Sequence, residues 1–518
     1  MSSTTVNLDA MIYRADFASN DQKPAQSSER FEKIGLKDLV GDGAWAPKLL
    51  RKPDFQRETT QWKPSQVAML IESFLDGELI PAVILWQSAT SIFVIDGGHR
   101  LSALIAWALD DYGDGVRSGG FFKNEISQET KRLANRTRNE VEKRVGSYKR
   151  LQQLISASDE NSVPDARMVT FATRGLQVQW IIGDADKAES SFFKINTQGS
   201  ALDPIEEKIL RNRSKPSAIA ARSIARAATG HKYWSKFTPE IQEKISEKSA
   251  SIHKSLFSPE VQSPVKTIDL PLGGTASITQ TLDLLINLTE IVDPTYKDLL
   301  KIPDDKNGEN TLDLLESLDR VVTRLVGNKS KSLGLHPFVY FYTSRGRHYP
   351  PLMLAIFAIV ANQLKNNNKQ WFKDFTFSRK LFEEILLENK GIITLLISAL
   401  GSKSRVDGAI KVLELILIRA KSGNTSISPN DFAEVTGLQS RLYTIQSKPG
   451  AHFDDDAKSS AFLKQAFAQA LKCPICGGFL DPSKSISYDH ILKREHGGLG
   501  SAENCQVTHP YCNSSIKG

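Results

Sequence analysis

Cysteine is missing from the first 472 of the chain's 518 residues; all four cysteines, Cys473, Cys476, Cys505 and Cys512, fall in the last 46. That excludes a disulfide framework for most of the chain, and thiols clustered at one end point to metal rather than to cross-links. Long apolar runs are missing too. The most apolar stretch, LMLAIFAIVA at 352–361, falls well short of the ~20 residues a membrane span needs, so no membrane partner is expected. The start, MSSTTVNLDA, lacks a basic segment followed by an apolar one, so no secretory leader is expected and the cytoplasm is the expected location. Charge of one sign is scarce: 66 Lys and Arg against 59 Asp and Glu give +7, a slight lean toward polyanions. What remains is 40% hydrophobic and 24% charged, a globular composition at a length that predicts two or three domains.

The first 30 residues are polar and rich in Ser and Gln, and read as a loose arm. From 31 to 215 the pattern is α+β. Val67, Leu70, Ile71 and Phe74 share one helical face after Pro64. AVILW after Pro81 and SIFVI (91–95) read as buried strands, and Asp96-Gly97-Gly98 leads into an apolar helix over Leu101–Leu109. Asp203-Pro204 with Glu206 and Glu207 marks another helix start. The stretch Lys131–Arg150 holds eight basic residues against two acidic ones; phosphate contacts and a solvated helix face both fit it. Residues 216–445 repeat apolar side chains at three- and four-residue spacing and read as all-α, without a catalytic constellation. The polar stretch 446–460, with Pro449-Gly450 and an acidic run, reads as a linker, and 461–518 as the last domain.

Within that last domain, Cys473-x-x-Cys476 and His509-x-x-Cys512 are two knuckles about thirty residues apart. Three thiolates and an imidazole close a tetrahedral zinc site with no open position, hence a structural one. So small a domain buries little core, and the metal supplies folding energy. Cys505 lies outside both pairs and reads as a packing residue.

Between the knuckles stand Tyr488-Asp489-His490-Ile491, Gly497-Gly498 and Asn504, with Asn513 after the second. This order resembles the HNH endonuclease family, a ββα-metal fold. The resemblance implies His490 as the general base, Asn504 as the residue orienting the histidine loop, and Asp489 with Asn513 as ligands of a catalytic Mg²⁺ or Mn²⁺. Such a cation offsets charge at phosphorus while a neutral histidine activates water. Lys493, Arg494 and Lys517 are candidates for phosphate contact. The chain ends at Gly518, so the helix bearing Asn513 is expected to be short.

Toward the other end stand PDFQRETTQW (53–62), VIDGGHRLSAL (94–104) and FFKINTQGSALDPIEEKIL (192–210). Gly97 and Gly98 let backbone amides approach an anion at a helix start, and His99 and Arg100 read as added cationic donors. Together and in this order the blocks resemble the ParB/sulfiredoxin-like domain of GmrS-type modification-dependent restriction proteins, over roughly 40–215. The resemblance implies binding of a nucleoside triphosphate by Arg57, Gly97, Gly98, His99, Arg100 and Asn196, with Asp96 placing metal or water for hydrolysis. Gly98 stands where that family usually has glutamine. Sulfiredoxin chemistry is excluded, because it needs a cysteine and this region has none.

These readings predict a restriction- or defence-type DNA endonuclease: a nucleotide sensor acting through a helical middle on an HNH domain, with a homo-oligomer left open. The other readings are a DNA-binding adaptor with a degenerate HNH module and a homing-type nuclease of a mobile element.

Overall fold

The computed structural model describes residues 5–17, 30–157, 165–198, 202–261, 263–275, 277–424, 426–439 and 452–517. Two compact units divide the chain. One is Ser2–Ser214 with Ala228–Lys236, the other Lys215–Ala227 with Phe237–Gly518.

The first unit is mixed α/β. Strands β1 (Arg14–Ala15), β2 (Lys33–Gly35), β3 (Leu50–Pro53), β4 (Val83–Gln87), β5 (Ile92–Asp96) and β6 (Gly175–Trp180) form one sheet in the order β1-β3-β5-β4-β6-β2. Both apolar runs of the sequence are therefore central strands, joined as an antiparallel hairpin. Their side chains alternate between two cores, as the pleat requires. Val83, Leu85, Ile92 and Val94 pack with Val67, Phe74 and Trp107 on one face. Trp86, Phe93 and Ile95 pack with Phe17, Phe55 and Phe192 on the other. Each such buried side chain contributes roughly 1.5–3 kcal/mol. Burial on both faces explains why these strands read as unbroken apolar runs.

The expected loose arm is in part core. Val6, Leu8, Ala10 and Met11 are buried, the Val6 N–H reaches the Trp62 carbonyl at 2.8 Å, and β1 pairs with β3. Residues 18–29 lie outside the described residues. Asp9 anchors this segment: it is fully buried and takes hydrogen bonds from Lys52 Nζ at 2.8 Å, from the Thr59 N–H at 3.0 Å and from Arg14. A buried carboxylate persists only with such partners, and polar composition alone concealed them.

The second unit is helical, as the periodicity predicts. Helices Pro216–Ala225, Pro239–Phe257, Pro350–Lys365 and Pro429–Thr436 open with proline, whose missing N–H costs nothing in the first turn. Helices Ile278–Val292, Glu309–Leu325, Lys369–Glu388 and Arg405–Lys421 complete its main framework. The expected linker is partly helix: Asp454 accepts the Ala457 N–H at 2.7 Å and caps Asp455–Ala468. The acidic run is thus a helix start, favoured by the positive end of the helix dipole, and not a spacer; 440–451 lie outside the described residues. Strands β7 (Ser487–His490) and β8 (Cys505–Thr508) pair antiparallel near the end of the chain. No helix among the described residues is long and apolar enough to cross a membrane.

Candidate functional site

Cys473, Cys476, His509 and Cys512 meet as the spacing predicts. All four are buried, and their ligand atoms lie within 4.8 Å of one another. His509 Nδ1 is 3.3 Å from Cys476 Sγ and 3.8 Å from Cys512 Sγ. A tetrahedral ion with Zn–S near 2.3 Å separates its ligands by about 3.5–3.8 Å, so these donors fit a metal such as zinc. The opposite ring nitrogen, Nε2, is 2.9 Å from the Phe479 carbonyl. That partner fixes the tautomer with Nδ1 free for an ion. Burial, then the nearby Arg379 charge, lowers the His509 pKa and keeps the ring neutral. Sulfur hydrogen bonds from Cys476 and Cys512 favour a thiolate at Cys473, while its proximity raises the other two thiols. Cys505 is exposed rather than a packing residue; at the start of β8 it pairs with His490 across the ladder.

His490 ends β7. Arg494 Nε donates to His490 Nε2 at 3.3 Å, so that ring nitrogen is the acceptor of the pair, the role a general base plays toward water. Asn504 straps the following loop: its Oδ1 accepts the Leu492 N–H at 2.7 Å, and its Nδ2 donates to the Leu492 carbonyl at 3.1 Å and the Leu499 carbonyl at 2.8 Å. Asn513 lies in the wide helical turn Cys512–Lys517 and donates to Ser487 Oγ at 2.8 Å and the Tyr488 carbonyl at 3.1 Å. Asn513 is thereby tied to the strand that carries Asp489.

Two of the basic residues expected at phosphates are otherwise engaged. Lys517 turns inward, its Nζ 2.9 Å from Asp489 Oδ2 and 3.2 Å from the Ile491 carbonyl, with the His490 carbonyl a third partner. Gln506 Nε2 also donates to Asp489 Oδ2, at 2.7 Å. An ammonium group therefore sits on the carboxylate expected to hold a divalent ion. Arg494 is on His490, and Lys493 pairs loosely with exposed Glu495 at 3.6 Å.

At the glycine turn, Gly97 has φ +90° and starts helix Gly98–Leu109. A Cβ at Gly97 would lie 3.0 Å from Val83 Cγ2, so Gly97 serves close approach, whereas at Gly98 it would make an ordinary 3.4 Å contact with Gln56 Nε2. Arg100 and Asp96 pair with each other at 2.8 Å, and Arg100 also caps the Ala82 carbonyl at 3.1 Å. His99 is not the expected cationic donor. Burial, reinforced by the charges of Arg57 and Lys52, lowers its pKa to about 3, and its ring stacks on Trp62 at 5.5 Å. Around the turn, His99 Nε2, Gln56 Oε1, Thr60 Oγ1 and Ser102 Oγ are buried with no hydrogen-bond partner. Gln56, Thr60 and Trp62 lie in the first of the three sequence blocks, yet sequence reasoning singled out only Arg57. Arg57 also acts on buried Glu206, whose pKa is raised by burial against the lowering charge of Arg57. Asn196 spends its amide N–H on the Phe192 carbonyl of its own helix, at 2.9 Å.

The basic stretch resolves into helices Gln128–Arg144 and Tyr148–Ser156. Arg138 pairs with Asp110 and Asp114, and Arg144 with Glu72. Those pairs favour a solvated, salt-bridged face over phosphate binding.

Comparison with known proteins agrees with this division. Residues 36–214 match the family model of the GmrSD restriction endonuclease, N-terminal domain. Residues 473–517 match the HNH endonuclease model. No curated protein and no solved structure matches the chain. The chain thus joins an N-terminal region similar to the GmrSD domain to a C-terminal region similar to HNH endonucleases, and the pair supports a restriction-type nuclease.

Proposed function

We propose that this protein is a metal-dependent DNA endonuclease of the restriction or defence type, cutting with its C-terminal module and regulated by a nucleoside triphosphate at the glycine turn. The observation that carries the reading is the placement of His490 at the end of β7, with its loop pinned by Asn504 and the strand of its neighbour Asp489 tied to the turn that bears Asn513. In this reading His490 Nε2 takes a proton from the attacking water, and Asn504 keeps the loop from drifting. Asp489 and the amide oxygen of Asn513 would hold Mg²⁺ or Mn²⁺, which supplies charge stabilisation at the phosphate. Cys473, Cys476, His509 and Cys512 would hold a structural zinc ion. Lys493 and Arg494 face the flanking phosphates once Arg494 releases His490.

At the glycine turn the buried polar atoms without partners support a ligand, since such groups cost about 1–3 kcal/mol each if left unmade. Arg57, not His99, supplies the cationic donor there, and neutral His99 serves as a hydrogen-bond partner. Asp96, already paired with Arg100, is better placed to shape the turn than to hold a metal.

The contact of Lys517 with Asp489 favours a second reading, a DNA-binding adaptor whose module does not cut. Plasmid and phage DNA cleavage by the wild-type chain and His490→Ala, with Mg²⁺ or Mn²⁺ and with or without nucleotides, separates the two. Cutting that needs the metal and falls about 10²–10⁴-fold in the variant supports the nuclease. Tight DNA binding with no nicking under any metal supports the adaptor.

A further inference from the structure

The zinc ligands belong to the last 46 residues, but the groups that orient one of them come from the helical region. Glu383, in helix Lys369–Glu388, is buried and accepts the Phe479 N–H through Oε2 at 2.7 Å. The carbonyl of the same Phe479 accepts His509 Nε2–H at 2.9 Å. Glu383 Oε1 in turn accepts Arg379 Nε–H at 2.7 Å and the Tyr340 hydroxyl at 2.7 Å. Arg379, buried as well, spends its remaining nitrogens on the Leu333 carbonyl at 2.6 Å and the Gly334 carbonyl at 3.0 Å.

Gly334 closes the arrangement from the other side. A Cβ there would lie 2.9 Å from His509 Cδ2, so the ring rests directly on glycine backbone. Likewise a Cβ at Gly478 would lie 2.6 Å from Arg379 Nε, so the knuckle is seated on the guanidinium. The imidazole is therefore held by its Nε2 partner and by the surface under its edge. Both are placed by Arg379 and Glu383.

We propose that Arg379 and Glu383 are positioning residues of the zinc site: through Phe479 and Gly334 they hold His509 as an Nδ1 ligand. Zinc affinity of the C-terminal module is then a property of the helical region as well as of the four ligands. The inference rests on the zinc reading above. It follows from the general role of outer-shell hydrogen bonds, which fix the tautomer and angle of a ligating histidine. A thiolate ligand needs no such tautomer control, and this separates the proposal from a mere packing role.

The test measures zinc affinity of the full-length chain by competition with a chromophoric chelator, together with the visible spectrum of the cobalt-substituted protein. Arg379→Met with Glu383→Leu removes the pair as a pair, which avoids stranding one buried charge. Zinc affinity should fall about 10–100-fold and the cobalt bands should shift. In a His509→Cys background the same paired change should cost clearly less than in the wild type, because the ligand there has no tautomer to fix and only the seating of the knuckle on Arg379 is lost. If the paired variant does not fold, Tyr340→Phe, which takes one hydrogen bond from Glu383 Oε1 and leaves the ion pair intact, should give a smaller loss with the same dependence on background. Equal losses in the wild-type and His509→Cys backgrounds, or no loss in either, overturn the proposal. A wild-type chain that binds no zinc would instead overturn the zinc reading itself.

Discussion

Two buried histidines, one in each unit, show how differently the two sites are finished. His509 has both ring nitrogens engaged, Nε2 by the Phe479 carbonyl and Nδ1 by the sulfur cluster. His99 stacks on Trp62 with its Nε2 unpartnered, beside Gln56 Oε1 and Thr60 Oγ1 in the same condition. Burial is the first cause holding each ring neutral. A neutral imidazole therefore says nothing by itself about function, and what completes its hydrogen bonds does. In the first site four buried donors converge within 4.8 Å, a set that fits one ion. The second holds unmet polar groups, which a ligand would satisfy.

The largest effect should come from the assembled site. Cys476→Ser removes one of three thiolates, and the expected result is loss of bound zinc, melting of the segment around β7 and β8, and a fall in DNA cutting of about 10²-fold or more. Nucleotide binding at the glycine turn should be unchanged. Metal analysis, cleavage and nucleotide titration on one preparation decide this, and zinc retained at wild-type level would break the comparison.

A smaller effect is expected at the site with unmet groups. A nucleoside triphosphate should raise the melting temperature of the wild-type chain, and Arg57→Ala should weaken that binding about 10–100-fold, the range for a hydrogen bond to a charged group. Zinc content should stay the same. A melting curve that ignores nucleotide in the wild type would remove the ligand reading of the turn.

What was legible in the sequence followed from short-range chemistry. The cysteine knuckles, the strand–glycine–helix run through Asp96 and the helix start at Asp203-Pro204 each combine spacing with a local physical reason, and each appears in the structure. Long-range partners were not legible. Nothing near Asp9 announces Lys52 and Thr59 as its partners, so a core segment read as a loose arm. The acidic run at 454–456 read as linker because polar residues cap helices as readily as they fill loops. Lys517 on Asp489 and Glu383 on Phe479 join residues 28 and 96 positions apart. No period or spacing rule reaches that far, so the phosphate role given to Lys517 and the separateness given to 461–518 both missed the contacts that define them. Lys484 on Asp269 and the Tyr511 N–H on the Ser332 carbonyl make the same point.

The smallest expected effect sharpens the contrast through pH. His99 is held at a pKa of about 3 in the folded chain against the ordinary 6.5. The unfolded chain therefore takes up that proton first. The stability at stake is fully present above pH 6.5 and drains away as the pH falls toward 3. Between about pH 7 and about pH 5 a single such histidine costs roughly 2 kcal/mol at most. His336 and His348, held at about 3 and about 4 by burial, impose the same slope on the helical unit. His99→Gln should accordingly flatten the acid dependence of the N-terminal unit and leave that of the helical unit alone, measured by denaturant melts at the two pH values. Saturating nucleotide should stabilise the wild type more than the variant at either pH, because the ligand bonds to His99, which is neutral in the folded chain at both. Equal protection of both would mean that His99 is a packing residue and that the ligand of the turn is held by Gln56, Thr60 and Arg57 without it.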